Sequence, residues 1–143
     1  MLLGEHRHML DDKGRLTIPS KFRDALGERV ILTRGLEQSL FVYPMDEWEK
    51  LAQKLRALPF TKADARAFTR FFFSGAVEAE FDRQGRITIP KPLLAYAGIE
   101  KACVVIGVMN RLEIWEEGRW EAYAAAQSAL VAETAEKLID FDL

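Results

Sequence analysis

The sequence predicts an α+β protein with a mainly β core, built from one small unit used twice. Two observations predict it. The segment Asp11-Asp12-Lys13-Gly14-Arg15-Leu16-Thr17-Ile18-Pro19 returns as Asp82-Arg83-Gln84-Gly85-Arg86-Ile87-Thr88-Ile89-Pro90, with Asp, Gly, Arg, Thr, Ile and Pro in register. Short β-branched runs bounded by Gly and Pro also recur in both halves, separated by brief helical stretches. The register then holds. Phe22 matches Leu93 and Gly27 matches Gly98; after one inserted residue, Gly35 matches Gly107, Leu40 matches Leu112 and Trp48 matches Trp120. Chance similarity does not keep register over that span.

Each copy reads β-β-α-β-β. A strand over about 5–10, or 76–81, leads into Asp-x-x-Gly-Arg. Gly14 and Gly85 supply the positive φ that a tight turn requires. Leu16-Thr17-Ile18 and Ile87-Thr88-Ile89 form the next strand by β-branched alternation. Pro19 and Pro90 end it, because proline cannot donate to a ladder. Short helices follow over 20–26 and 91–97, stopped by Gly27 and Gly98. Strands over 30–33 and 102–106 come next, each joined by a Gly-containing turn to a last strand over 40–43 or 112–115.

Helices attach to these cores. Trp48, Leu51, Leu55 and Leu58 recur at helical spacing after Pro44, and Pro59 closes that helix. Thr61-x-x-Asp64 has the spacing of a capping box, with Asp for the usual Glu or Gln, and opens a helix closed by Gly75. Ala-rich residues from Trp120 predict one last helix to about Leu138, with a loose tail over 139–143. The expected organisation is a first repeat over 1–47, a helical linker over 48–75, a second repeat over 76–118, and a C-terminal helix and tail over 119–143.

Composition narrows the function. With 49% hydrophobic and 29% charged residues, the chain is globular rather than disordered. A unit of roughly 60 residues buries a smaller share of its surface than a large domain does, so the two copies should lean on each other or on other chains. Cys103 is the one cysteine and sits in the apolar run Ala102-Cys103-Val104-Val105-Ile106, where it reads as a small buried hydrophobe. No apolar run reaches membrane-span length, and the first residues lack a signal-peptide core, so a soluble cytoplasmic protein is expected.

The net charge of −2 argues mildly against a nucleic-acid partner, but the average hides an asymmetry. Between residues 50 and 74 the basic residues Lys50, Lys54, Arg56, Lys62, Arg66 and Arg70 face only Asp64. From Glu113 onward the acidic side chains face only Arg119 and Lys137. A basic face on an acidic chain is therefore feasible.

The turns carry the chemistry. Asp11 and Asp82 start a turn well, since a carboxylate accepts nearby backbone N–H groups. They also pair locally with Arg15 and Arg86. Arginine presents a planar fork of donors that suits phosphate and the major-groove edge of guanine. Two copies would give two arginine-bearing ribbons. Lys13 adds a cation to the first turn, whereas the second holds Gln84 there and Arg83 in place of Asp12, so the first is expected to lead. On the preceding strand His6 and His8 share one face and Arg7 takes the other. Two histidines without a third ligand do not make a metal site. No catalytic constellation is present, and Arg15 and Arg86 would keep both aspartates ionised, so no enzyme, cofactor or small-molecule substrate is expected.

Together with Pro19-Ser20-Lys21-Phe22-Arg23, Leu32-Thr33-Arg34-Gly35-Leu36 and Ala67-Phe68-Thr69-Arg70-Phe71-Phe72-Phe73-Ser74-Gly75, the two turns closely resemble the MraZ family of bacterial regulators, built from two AbrB-like (SpoVT-AbrB) domains. The likeness covers essentially the whole chain. It implies swapped hairpins interleaved into a small barrel, here as an intramolecular pseudo-dimer. It implies a ring-shaped homo-oligomer, association with the nucleoid, and repression of the division and cell-wall gene cluster, including the protein's own promoter. Such regulators bind short G-rich direct repeats of double-stranded DNA, one per subunit. By the resemblance, Arg15 and Lys13 contact DNA directly, and Arg86 does so by internal symmetry; Arg83 and Arg7 complete the candidate set, with Asp11, Gly14, Asp82 and Gly85 shaping the turns. Direct repeats suit head-to-tail subunits, and linked weak sites gain affinity through effective concentration. The Phe71-Phe72-Phe73 run serves either the core or a subunit contact. The competing reading is an assembly scaffold that docks partners on its acidic C-terminal helix and touches DNA incidentally.

Overall fold

The computed structural model describes residues 1–138. The first copy contains β1 (Leu2–Met9), β2 (Arg15–Thr17), α1 (Ser20–Leu26), β3 (Arg29–Arg34) and β4 (Leu40–Pro44). Two helices, α2 (Met45–Arg56) and α3 (Ala63–Ser74), bridge to the second copy: β5 (Val77–Glu80), β6 (Arg86–Thr88), α4 (Lys91–Ala97), β7 (Ala102–Met109) and β8 (Leu112–Glu116). Then come α5 (Glu117–Ser128) and α6 (Val131–Lys137). The order β-β-α-β-β holds in both copies, and α1 and α4 run between their proline and glycine boundaries as expected.

The copies exchange strands. Six antiparallel strands form one sheet in the order β1-β7-β8-β4-β3-β5, while β2 and β6 pair as a separate ribbon. Each first strand thus joins the other copy's third strand: β1 lies on β7, and β5 on β3. The registers are those of an internal two-fold. In the central pair Phe41 opposes Glu113, flanked by Leu40 with Ile114 and Val42 with Leu112. In the ribbon Leu16 opposes Ile87, flanked by Arg15 with Thr88 and Thr17 with Arg86. This corrects the expectation of two separate ribbons: there is one, made jointly.

Burial explains the pairing. Leu16, Ile18, Ile87 and Ile89 are at most 2% exposed and pack with Phe22, Leu93, Val30, Leu32, Cys103 and Val105 in one core. Fully burying each large aliphatic side chain contributes about 1.5–3 kcal/mol. Neither copy encloses that core alone. The outer face of the sheet carries two further clusters. Phe41, Tyr43 and Phe72 pack with Trp48, Leu51 and Phe71 from α2 and α3. Val104, Ile106 and Trp115 pack with Trp120 and Tyr123 from α5. Trp48 and Trp120 therefore do the same work in the two halves.

Four expectations need correction. The sequence match of Gly107 to Gly35 shifts by one in the sheet: the β7–β8 connection is a residue shorter, so Gly107 faces Leu112 where Arg34 faces Leu40. Thr61-x-x-Asp64 does not cap α3; Lys62 stands at the N-cap, with no side-chain hydrogen bond. The stripe on α2 ends before Leu58, which lies beyond the last turn and is 40% exposed. The last helix is broken: α5 ends at Ser128, and α6 starts at Val131 with no buried residue. Without an apolar face on the sheet, nothing fixes α6 as a continuation of α5. The tail expected over 139–143 lies outside the described residues.

Within this chain the phenylalanine run makes intramolecular contacts, with Phe72 buried and Phe73 still 41% exposed. Phe72 is 3% exposed and stacks on Phe41, Phe71 lies under the Arg34 guanidinium and against Tyr96, and Phe73 meets Trp48. Arg34 also donates to the Phe71 carbonyl at 2.7 Å and to Ser74 Oγ at 2.6 Å, and Thr33 Oγ1 donates to the Phe72 carbonyl at 2.6 Å. A Cβ on Gly75 would come within 2.7 Å of Arg34 Nε, so the end of α3 needs a glycine there for close approach.

Candidate nucleic-acid interface

Both turns close with the same hydrogen bonds. The Asp11 carbonyl accepts Gly14 N–H at 3.1 Å, and Asp11 N–H donates to the Arg15 carbonyl at 2.9 Å. Asp11 Oδ1 accepts the backbone N–H groups of Lys13 and Arg15 at 2.9 and 2.8 Å, while Oδ2 accepts Arg15 Nε at 2.6 Å. In the second turn Asp82 repeats every contact, with Gln84 N–H, Arg86 N–H and Arg86 Nε at 2.8, 2.9 and 2.8 Å. Gly14 and Gly85 take φ of 77° and 74°, where a side chain would be strained. Each turn is also pinned by the other copy: Ile89 N–H donates to the Gly14 carbonyl, and Ile18 N–H to that of Gly85.

The carboxylates respond to this geometry. Backbone N–H donation from Arg15 is the largest cause, and with the Arg15 side chain and Lys13 N–H it holds Asp11 below the ordinary carboxylate range, outweighing the opposing effect of desolvation. Asp82 is lowered in the same way, with Arg86 N–H as the largest cause. Both stay ionised at neutral pH and keep their arginine.

On the ribbon, strand alternation sends Leu16 and Ile87 into the core and Arg15, Thr17, Arg86 and Thr88 outward on one face. The two arginines sit on a diagonal, separated by about 7 Å along the strands. Each binds its aspartate through Nε alone; among the described residues the Nη groups make no hydrogen bond, and the side chains are 29% and 26% exposed. Aspartate thus orients the arginine and leaves the outer edge of its fork free.

The remaining candidates fall in different places. Lys13 is exposed at the first turn and lines a cleft with Lys91, Lys101, Asp12 and Glu100. Arg83 is exposed at the second turn. Arg7 is held elsewhere: its guanidinium lies 2.9 Å from Glu121, 3.5 Å from Glu117 and 3.4 Å from Glu5. His6 faces the core side, edge-on to Phe22, and burial holds its pKa down, followed by repulsion from Lys21 and His8. Arg23 was not singled out by sequence. It reaches from α1 onto the second turn, where a Cβ on Gly85 would lie 2.6 Å from its guanidinium carbon, and its Nε donates to the Ile18 carbonyl at 3.0 Å. Lys91, at the start of α4, flanks the first turn and was missed likewise. Their only sequence signal was proximity to the prolines ending the ribbon strands.

Fold and site together define a duplicated, strand-exchanging β protein that displays two aspartate-anchored arginines on one shared ribbon. The family model described as "MraZ protein, putative antitoxin-like" matches this chain twice, over residues 1–71 and 72–142. Curated relatives named "Transcriptional regulator MraZ" align along the full chain. Those of Moorella thermoacetica and Pelotomaculum thermopropionicum are 55% and 56% identical over 143 residues, covering 100% of this chain and 100% and 99% of theirs. That of Ligilactobacillus salivarius is 54% identical, with complete coverage of both chains. The chain belongs to the MraZ family.

Proposed function

We propose that the protein is a non-enzymatic, sequence-specific DNA-binding transcriptional regulator whose grip is the outward face of the β2–β6 ribbon. The observation that carries this reading is the pair Arg15 and Arg86, fixed by Asp11 and Asp82 on one face with their Nη groups free among the described residues. A two-stranded ribbon fits the major groove, and a diagonal of about 7 Å matches about two base-pair rises. Lys13, Arg83, Lys91 and Arg23 flank the ribbon ends and serve phosphates. Arg7 ranks last, because three glutamates already surround it. The name of the relatives supports a regulatory role.

In this reading the exchanged strands make the chain a pseudo-dimeric small barrel. Several copies form a ring on short direct repeats of nucleoid DNA, repressing the division and cell-wall gene cluster and the protein's own promoter. Several subunits are needed, since one alone is net negative. The test is a gel shift on the upstream region of the gene, with native mass measured in parallel. Arg15→Ala should weaken the shift at least about tenfold and leave the mass unchanged; a normal shift would overturn the site. The scaffold reading is favoured by one observation, that α6 buries nothing. It predicts assembly without salt-sensitive DNA binding.

A further inference from the structure

The two ends of the shared ribbon have the same backbone and opposite charge. A cleft of about 480 Å³ opens beside the first turn, and a hollow of about 420 Å³ opens at the other end. They occupy equivalent places in the two copies. Leu10 lines the first and its counterpart Phe81 the second, and their N–H groups donate to the carbonyls of Lys101 and Glu28, which line the same two spaces. Duplication has kept the fold and the size of the two spaces and changed their side chains.

The first cleft gathers Lys13 from the turn, Lys91 from the start of α4 and Lys101 from the residue before β7. All three are exposed, and among the described residues none of them forms an ion pair. Asp12 and Glu100 share the cleft, while Asp11 spends its carboxylate on its own turn. At the other end Gln84, Ser20 and Glu28 stand where those lysines stand. The hollow there adds Asp24 and Glu80 to Glu28, against Arg23, whose Nε is already donated to the Ile18 carbonyl. Arg83, on the second turn, is the other cation near that end. Free cations therefore outnumber free carboxylates at the first end, and the reverse holds at the second.

A ribbon lying in a groove meets backbone phosphates at both of its ends, and such contacts fix orientation rather than sequence. The internal two-fold alone would allow two opposite orientations on a duplex, because it exchanges Arg15 with Arg86. Charge removes that equivalence. We infer that the cleft of Lys13, Lys91 and Lys101 holds a backbone phosphate of the bound duplex, that Asp24, Glu28 and Glu80 keep the backbone away from the other end, and that each chain consequently sits on DNA in one direction. The inference rests on the ribbon as the DNA grip. It adds Lys101 to the phosphate contacts and gives three carboxylates an orienting role.

Tethered cleavage on the full chain tests it. Gln84→Cys, at an exposed position, carries an iron chelate that cuts nearby DNA, and the fully buried Cys103 stays unlabelled. On the upstream DNA the labelled protein should cut one flank of each protected segment at least tenfold more than the other. Lys13→Gln with Lys91→Ser and Lys101→Glu copies the second end onto the first. It should lower affinity about tenfold, reduce the salt slope by about two to three, and make cutting of the two flanks nearly equal. Adding Ser20→Lys and Glu28→Lys should recover affinity and reverse the favoured flank. All these positions are exposed, and circular dichroism checks the fold. Equal cutting before the lysines are changed, or an unchanged bias afterwards, would overturn the inference. Inorganic pyrophosphate titrated into the chain without DNA separates a duplex phosphate from a small phosphorylated ligand. Binding no tighter than millimolar is expected, and micromolar binding that the lysine variant loses would give the cleft to a small ligand instead. Arg15→Ala with Arg86→Ala is read separately. Normal binding by that variant means the ribbon has failed; lost binding there, with bias kept in the lysine variant, means only the cleft has failed.

Discussion

The two turns share a backbone and differ in almost everything else. Asp, Gly and Arg recur because each is required: the carboxylate gathers two backbone N–H groups, the glycine takes positive φ, and the arginine completes the pair. Around this frame the first turn carries Lys13 where the second has Gln84, and Lys91 where the second has Ser20. Leu10 N–H rests on the Lys101 carbonyl, while its counterpart Phe81 N–H rests on that of Glu28. The second turn answers with Arg83 and Arg23. Duplication therefore preserves the hydrogen-bonded geometry that orients an arginine and lets the surrounding charge diverge. Lysines act as point charges toward phosphate, whereas arginines offer forks.

The sharpest way to break the comparison is to remove each arginine in turn. Arg15→Ala should lower affinity for the upstream DNA roughly 10–100-fold, the range for one good base contact. Arg86→Ala should cost less, and a larger effect at Arg86 would reverse the ranking of the turns. Titrated gel shifts measure both.

Next come the turn glycines. Alanine at either position should destabilise by about 1–2 kcal/mol, because φ is positive. Gly85→Ala should cost about 1 kcal/mol more than Gly14→Ala, since the new methyl displaces Arg23 from the Ile18 carbonyl. Urea denaturation separates the two.

Acid should act on both turns alike. Asp11 and Asp82 are lowered in the folded state, so their contribution is present above the ordinary carboxylate pKa and is lost as pH falls through the folded value. His6 breaks the symmetry, because Val77 occupies its place in the second copy. Its lowered pKa makes the fold favour neutral imidazole, so stability should begin to fall as pH drops below about 6.5. His6→Leu should remove that limb from a melting-against-pH curve while the carboxylate limb remains.

The smallest effect on DNA is expected at Cys103. It takes in β7 the ladder position that Val30 takes in β3, is fully buried, and burial pushes its thiol up to about 11. Cys103→Ser should leave DNA affinity unchanged while costing about 1–3 kcal/mol of stability. Cys103→Val should be tolerated, and the native thiol should resist a thiol reagent at pH 8.

The readable features were local. Asp-x-x-Gly-Arg specifies its own turn, and Pro19 with Gly27, like Pro90 with Gly98, brackets a helix with nothing else needed. Strand partners were not readable. The pattern over about 5–10 signals a strand, but only the shared core determines that β1 joins β7 rather than β2. That exchange turns two arginine turns into one ribbon, so the joint face of Arg15 and Arg86 was invisible until the registers were known. Arg7 illustrates the same limit: its partners Glu117 and Glu121 come from α5, far along the chain. The break before α6 escaped because Ala-rich sequence favours helix, whereas packing determines whether one helix continues.

The most direct test of the shared ribbon is the salt dependence of affinity for the upstream DNA, compared between the wild type and Arg15→Ala combined with Arg86→Ala. Arginines on one groove-facing ribbon predict that wild-type affinity falls steeply as salt rises, and that the double variant binds at least a hundredfold more weakly with a shallower slope. An unchanged affinity and slope in the double variant would contradict the account.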